Sequence, residues 1–409
     1  MRRETEILEA LQRQGNLRRL NVMRSAGATV YPCRNGTGAT TAADGKVRGY
    51  CNLSSNDYLG LSGEAGGLQR EFLQSLFRQE PEHFVLGNPS SRLMTGNSPA
   101  YADLEERLAR LLQAEAALVL GSGFAVNSGV LPAVTQRGDL ILADKLVHAS
   151  LIDGLRLCEA GVEWRRFRHN DMAHLASMLS AASAERREGR QVIVVTESLF
   201  SMDGDFAPLG RLAELQQQYR FSLYLDEAHA FGVYGPGEAG TGLLAAYNAA
   251  HPELPLQADY RVITFGKALA SAGAAVVCSR ETKELLVNRM RPLIFSTALP
   301  DISLRWTRFL IDRLPEFAPR RRRVRELVEI VNRIVQPDTP YASQIIPIPA
   351  GSNERALQLA ADFREAGFWT TAIRHPTVPQ GEARVRVSLC ASHEPEQIER
   401  FARLCKQFG

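Results

Sequence analysis

From about residue 98 onward the chain repeats one pattern: a short apolar run, a turn, then a stretch with helical spacing. The runs fall at residues 117–120, 140–143, 192–195, 223–225, 262–264 and 274–278. None alternates apolar with polar residues, as a strand with one wet face must. Strands covered on both faces read this way, and helices between them supply the cover. The expected fold class is therefore α/β, with a mainly parallel sheet covered by helices on both sides. Ser98 before Pro99 marks a helix start, with Ser as cap and Pro in the first turn. Tyr101, Leu104, Leu108, Leu111 and Leu112 then share one face. The most membrane-like stretch, residues 116–134, holds Ser122, Asn127, Ser128, Pro132 and three glycines, so it reads as strand, turn and helix.

A chain of 409 residues is too long for one small domain. We expect an N-terminal segment of helix and loop over 1–50, a large domain over 51–291, and a small C-terminal α+β domain over 292–409. In the last of these, Val324, Leu327, Val328, Val331, Ile334 and Val335 fit a helix, and Arg320 to Arg323 before them read as a solvated helix end. Strands are expected near 344–348 and 383–389, with helices near 354–366 and 395–408. Lys plus Arg number 48 and Asp plus Glu 45, a net charge of +3, which argues against a nucleic-acid binder. Six cysteines without a C-x-x-C pair make no disulfide framework and point to a reducing, cytoplasmic setting. The first residues lack the apolar run of a signal peptide.

Four features carry chemistry. Lys267, in Thr264-Phe265-Gly266-Lys267, stands on an otherwise small and apolar stretch; burial lowers an amine pKa and makes it nucleophilic toward aldehydes. Asp226 and His229 close an apolar strand, at the edge where open α/β sheets bind ligands. With no second histidine cluster, these residues make a poor metal site. Gly121-Ser122-Gly123-Phe124 joins a strand to a helix, where backbone N–H groups can converge on a phosphate. His148, just after another strand, is placed to stack on a flat ring. A phosphate cradle, an acid for a pyridine nitrogen, a stacking imidazole and a buried amine together point to pyridoxal 5′-phosphate (PLP).

The sequence resembles the α-oxoamine synthases, PLP enzymes of the fold-type I, class II aminotransferase-like superfamily. The resemblance covers nearly the whole chain. It rests on Ser54-Ser55-Asn56-Asp57-Tyr58-Leu59-Gly60-Leu61, His148-Ala149-Ser150-Leu151, Phe200-Ser201-Met202-Asp203-Gly204-Asp205, Asp226-Glu227-Ala228-His229 and Thr264-Phe265-Gly266-Lys267. It implies the PLP-dependent transferase fold type I: a large domain with a mostly parallel mixed sheet, plus the small α+β domain. It assigns Lys267 to the cofactor aldehyde and to proton transfer, Asp226 to the pyridinium nitrogen, and His229 and Ser201 to the phenolic oxygen. His148 would stack on the ring and act in catalysis by hydrogen-bonding the acyl carbonyl or β-keto acid of the substrate. Gly123, Phe124 and Thr264 would hold the phosphate, with Thr297 supplied by the second subunit of a homodimer. Arg374 and Asn56 would receive the amino-acid carboxylate. Arg18 and Thr377 match acyl-substrate positions, and the adjacent Arg19 leaves the register open.

Thr371-Ala372-Ile373-Arg374-His375-Pro376-Thr377-Val378-Pro379 is most similar to the branch that condenses L-alanine with pimeloyl-CoA or pimeloyl-acyl-carrier protein in biotin synthesis, giving 8-amino-7-oxononanoate. Two other readings stay open. One is a sister synthase, such as a glycine C-acetyltransferase or serine palmitoyltransferase; the other is a non-catalytic partner subunit or regulator. One departure is plain: relatives carry a glycine-rich loop where this chain has Gly87-Asn88-Pro89-Ser90-Ser91-Arg92. Ser91 stands where glycine-specific relatives have Thr, which implies a preference for alanine.

Overall fold

The computed structural model describes residues 3–33, 48–63, 67–79, 86–185 and 189–408. The chain divides into two compact units. The larger comprises Gly66–Ser201 and Phe206–Arg321; the smaller comprises Met1–Ala65, Met202–Asp205 and Arg322–Gly409.

The larger unit is built on a seven-stranded sheet. In chain order its elements include β1 (Ala116–Leu120), α1 (Gly123–Val134), β2 (Leu140–Asp144), α2 (Ala149–Arg156), β3 (Glu163–Phe167), β4 (Val192–Glu197), β5 (Ser222–Asp226), β6 (Tyr260–Thr264) and β7 (Ala274–Cys278). The spatial order is β1-β7-β6-β5-β4-β2-β3. Only β7 runs against its neighbours, so the sheet is mixed and mostly parallel. The absence of alternation has a direct cause. Ile141, Val195, Tyr224 and Val262 pack on one face with Val126 and Val130 of α1. Leu142, Val194, Leu223 and Leu225 pack on the other with Leu175 and Leu212. Both faces of these inner strands are dry.

Strand β3 was absent from the expected set. Its sequence, Glu-Trp-Arg-Arg-Phe, is charged and mostly exposed because it forms the outer edge of the sheet, where charge blocks unwanted strand pairing. Ser98 stands at the cap position of helix Pro99–Leu111, but its side chain makes no capping bond.

The expected boundaries at 50/51 and 291/292 differ from the observed division. Residues 51–63 belong to the smaller unit because Tyr50–Asn52 pairs with Phe368–Trp369, and because Leu53 accepts from Ser388 N at 2.8 Å. Residues 292–321 belong to the larger unit. There, Leu299 N donates to Tyr101 Oη at 2.6 Å, Arg308 pairs with Asp103 at 2.7 Å, and Arg107 pairs with Asp312 at 2.7 Å. Arg321 also departs from the solvated reading. It is fully buried and donates to Gly232 O at 3.2 Å and Leu314 O at 2.5 Å.

In the smaller unit, Ile345–Gly351, Ala383–Ser388 and Thr371–Ile373 form a three-stranded sheet. Helices Asn353–Glu365 and Pro395–Phe408 cover it through Phe363, Ile398 and Phe401. The N-terminal helix Arg3–Arg13 buries none of its residues. The segment after it, expected as loop, begins with a hairpin, Val22–Ala26 with Thr29–Cys33; residues 34–47 of that expected loop lie outside the described residues. Among the described residues no helix is long and apolar enough to cross a membrane.

His393 ties this unit together. Its Nδ1 accepts from Cys390 N at 3.1 Å, and its Nε2 lies 3.0 Å from Asn52 O. Burial pushes its pKa from 6.5 down to about 4, so the folded protein holds it neutral. The unfolded chain binds a proton that the folded chain refuses across that interval, so the stabilisation is present above pH 6.5 and lost as pH falls toward 4. The loss amounts to about 3 kcal/mol. Amide hydrogen exchange of the smaller unit measured from pH 7 to 4 checks this: protection falls steeply in the native chain, and a His393→Gln chain loses that slope.

Candidate active site

Apart from Thr297, the residues expected to hold a cofactor lie at the carboxyl edge of the larger unit's sheet, distributed over five strand ends. Asp226 ends β5, Thr264 ends β6, and Ser122 to Phe124 follow β1. His148 follows β2 and Ser201 follows β4. The parallel strands put all these ends on one side, and the sheet interior holds them there.

Asp226 is only 4% exposed. Its Oδ1 accepts from Ala228 N at 2.9 Å, and its Oδ2 accepts from Asn127 Nδ2 at 2.8 Å. Two neutral donors hold the carboxylate in place without neutralising it, which leaves its charge available to a protonated ring nitrogen. His229 and Lys267 form the second pair, with Nε2 and Nζ 2.8 Å apart. His229 is buried and Lys267 half-buried. The lysine's turn is fixed by Ala270 N donating to Lys267 O and Phe265 N donating to Gly273 O, both at 2.9 Å. The other acid of the motif is structural: Glu227 is fully buried, pairs with Arg261 at 2.5 Å, and accepts from Leu244 N at 3.0 Å.

The phosphate end is equally defined. Ser122 caps α1 by accepting from Ala125 N at 3.1 Å. Gly123 and Phe124 open the helix, where the first N–H groups have no intrahelical acceptor. A Cβ on Gly123 would lie 3.9 Å from Thr264 Oγ1, so helix start and hydroxyl face each other. Backbone donors and a hydroxyl at the start of a twelve-residue helix are suited to a dianion. A buried acid, an amine beside an imidazole, and an anion cradle at one edge form a donor set that fits PLP.

His148 caps α2. Its backbone N donates to Glu197 Oε1 at 2.6 Å, and its ring Nδ1 accepts from Ser150 N at 3.2 Å. Close protein around the ring lowers its pKa below 6.5; the Asp226 charge opposes this and the Lys267 charge adds to it. Glu197, the register partner of Asp226 on β4, is 2% exposed. Burial, reinforced by the Asp226 charge, holds its carboxyl pKa well above 4.5.

Asn127, Ser150, Glu197 and Tyr224 were not singled out from sequence. Asn127 was legible in principle, as a polar residue inside an apolar helix, and Glu197 as an acid ending an apolar strand.

The smaller unit carries the other expected residues. Arg18 Nη2 donates to Thr377 Oγ1 at 2.9 Å. Arg374 donates to Gly15 O. Burial lowers its pKa, and the nearby Arg18 charge lowers it further. Two guanidiniums held near each other favour an anion between them. Asn56 accepts from Tyr58 Oη at 3.1 Å, and Tyr58 is met by Arg386 at 3.2 Å. In the same motif Asp57 accepts from Leu61 N at 2.9 Å and Ser62 N at 3.0 Å, closing the loop that presents Asn56. Gly60 is needed there: its φ is +70°, and a Cβ would fall 1.9 Å from Ser392 Oγ. The segment after Ser201 folds with this unit, where Arg384 pairs with Asp203 and Ser343 Oγ donates to Gly204 O at 2.7 Å.

Thr297, in the larger unit, is exposed and bridged antiparallel to Ser91. The replaced glycines of this loop are compensated by side chains. Asn88 Nδ2 donates to Gly96 O at 3.0 Å, and Ser90 Oγ accepts from Thr95 N at 3.1 Å. Arg92 anchors the loop on Glu105 at 2.6 Å and Val119 O at 2.9 Å. A cavity of about 910 Å³ lined by Arg92, Glu105 and Lys283 contains none of the cofactor residues.

Comparison with known proteins gives the same picture. Residues 48–404 match the family model for class I and II aminotransferases. An 8-amino-7-oxononanoate synthase of Haemophilus ducreyi is 46% identical over 348 residues, covering 83% of this chain and 87% of the relative. A serine palmitoyltransferase of Sphingomonas wittichii superposes with a TM-score of 0.82 at 25% identity, over 99% of this chain and 96% of that one. An 8-amino-7-oxononanoate synthase of Francisella tularensis superposes with a TM-score of 0.70 at 24% identity, over 88% and 97%, and shares the fold. With residues 48–404 matched by the family model and 46% identity over 348 residues to a curated relative, the chain belongs to the class I and II aminotransferase family.

Proposed function

We propose that this protein is a PLP-dependent acyltransferase of biotin synthesis. It condenses L-alanine with a pimeloyl thioester and releases CO2 and the free thiol, giving 8-amino-7-oxononanoate. The observation that carries the cofactor reading is the meeting of Asp226, the His229–Lys267 pair and the Gly123–Thr264 cradle at one sheet edge. The Arg18–Thr377 bond and the 46% identity to a relative of that name support the substrate reading.

Bound PLP supplies an electron sink for negative charge at the amino-acid Cα. Asp226 keeps the ring nitrogen protonated through its charge, and Asn127 keeps Asp226 aimed. The Gly123 and Phe124 amides and the Thr264 hydroxyl hold the phosphate. His229 and Ser201 serve the phenolic oxygen, and His148 covers the ring. Lys267 Nζ takes the proton from Cα and returns one after CO2 has left. Arg374, with Asn56, receives the alanine carboxylate. Arg18 and Thr377 receive the far carboxylate of the acyl chain.

The working unit is a homodimer in which Thr297 of one copy completes the phosphate site of the other. The apolar side chains of Leu93, Met94, Phe124 and Phe295, exposed on the single chain, support this; sedimentation at twice the chain mass tests it, and a monomer that still turns over refutes it. All six cysteines are free thiols, which fits a cytoplasmic location.

Mass spectrometry of products decides the function. Purified, PLP-loaded protein is given alanine, glycine or serine, each with pimeloyl-CoA and with pimeloyl-acyl-carrier protein. 8-Amino-7-oxononanoate from alanine is the expected product, at least tenfold faster than the glycine or serine products. Preferential turnover of glycine or serine would replace the reading with a sister synthase, and no turnover with a non-catalytic role. In the same assay Arg374→Ala raises the KM for alanine about 10- to 100-fold, the worth of a charge-assisted bond. Arg18→Ala acts on the acyl donor's KM instead. An Arg374→Ala enzyme with an unchanged alanine KM contradicts the assignment.

A further inference from the structure

We infer that Asn127 and Ser150 are positioning residues: they fix His148 as the tautomer carrying its proton on Nε2, and they tie that choice to the placement of Asp226.

The hydrogen bonds allow one assignment. A backbone N–H can only donate, so the bond from Ser150 N at 3.2 Å makes His148 Nδ1 an acceptor. A neutral imidazole with an accepting Nδ1 carries its proton on Nε2. The surrounding groups agree. Asp226 as a carboxylate can only accept, so the Asn127 group 2.8 Å from it is the NH2, and the Asn127 oxygen faces the Tyr224 hydroxyl at 2.8 Å. The second Asn127 N–H then points to Ser150 Oγ at 3.0 Å. With its oxygen accepting from Asn127, the Ser150 hydroxyl has its proton to give, and His148 Nδ1 lies 2.7 Å away. The order of donors is therefore Tyr224 to Asn127, Asn127 to both Asp226 and Ser150, and Ser150 to His148. Asn127 and Ser150 are buried, so water cannot substitute for either.

The consequence is a division of labour. An Nε2 that already carries a proton donates a hydrogen bond, to a substrate carbonyl for example. With its lone pair used by that proton, Nε2 has nothing with which to take the Cα proton, and the basic Nδ1 is turned to Ser150. The base role falls to Lys267 alone. That consequence rests on the condensation reading above; the tautomer rests only on the hydrogen bonds.

Nitrogen-15 NMR of the PLP-loaded protein, labelled in its histidine rings, tests the inference, with His148→Gln identifying the signal. The native protein is expected to show a protonated Nε2 and a bare Nδ1 at neutral pH. Ser150→Ala, which keeps the backbone donor, is expected to raise the Nδ1-protonated form to at least a tenth of the population, and Ser150→Thr to restore the native ratio. Asn127→Ala is expected to shift the ratio in the same direction. It should also weaken PLP binding about tenfold, because Asp226 loses a partner. A native His148 protonated on Nδ1, or cationic at neutral pH, overturns the inference. So does a ratio unmoved by both Ser150→Ala and Asn127→Ala. The tautomer is read whether or not the protein turns over alanine, so this result and the condensation reading fail separately.

Discussion

A Lys267→Ala protein is expected to lose about 10⁴-fold or more of its rate of 8-amino-7-oxononanoate formation while remaining folded. Two losses add. The amine that joins the cofactor aldehyde is gone, and so is the group that moves the Cα proton, a role worth 10²- to 10⁴-fold by itself. The fold has little reason to suffer. Lys267 is half-buried at a turn held by backbone bonds from Ala270 and Phe265, and neither bond uses its side chain. The measurement is product formation by mass spectrometry alongside the visible absorbance of the PLP-loaded protein. The variant should lack the band of the lysine-bound cofactor, and added methylamine should restore part of the rate. A variant that keeps the band and half the native rate would remove Lys267 from the mechanism.

Asp226→Asn is expected to reduce turnover about 10³-fold, the scale of losing one preorganised electrostatic partner in a dry site. The substitution is close to isosteric: the amide oxygen can keep the bond from Ala228 N, while an NH2 replaces the oxygen that accepted from Asn127. What disappears is the charge that keeps the ring nitrogen protonated. The effect should therefore fall on kcat more than on the KM for alanine, and PLP should still be retained on its phosphate side by the Gly123 and Thr264 groups. Equal kcat values for the native and substituted enzymes would remove Asp226 from the electron-sink role. A matching loss of PLP and of stability would assign it a structural role instead.

Much of the sheet was legible because burial leaves a mark in composition. Strands covered on both faces must be apolar throughout, and β1, β2, β4, β5, β6 and β7 appeared within a few residues of their bounds. Strand β3 was not, since an edge strand obeys the opposite rule and carries Arg165 and Arg166 in the open. Tyr50–Asn52 was not expected as a strand for a related reason: it is only three residues long and becomes a strand by pairing with Phe368–Trp369, more than 300 residues away. Arg321 was misread because four consecutive arginines resemble a solvated run. A helix turns each of them 100° from the last, and one faced the interior.

The sequence by itself determined the chemistry on offer. It placed Asp226, His229 and Lys267 at or just after strand ends, and a Gly-Ser-Gly-Phe turn before a helix, and those residue types have few joint uses. Tertiary structure decided which of them meet. Parallel strands bring ends separated by more than a hundred residues to one edge, and no local pattern records that Asn127 on α1 faces Asp226 on β5. The physical reason is range. Apolar periodicity and turn chemistry act over a few residues and are written locally. A hydrogen bond between Asn127 and Asp226, or between Arg18 and Thr377, exists only after the chain has closed on itself.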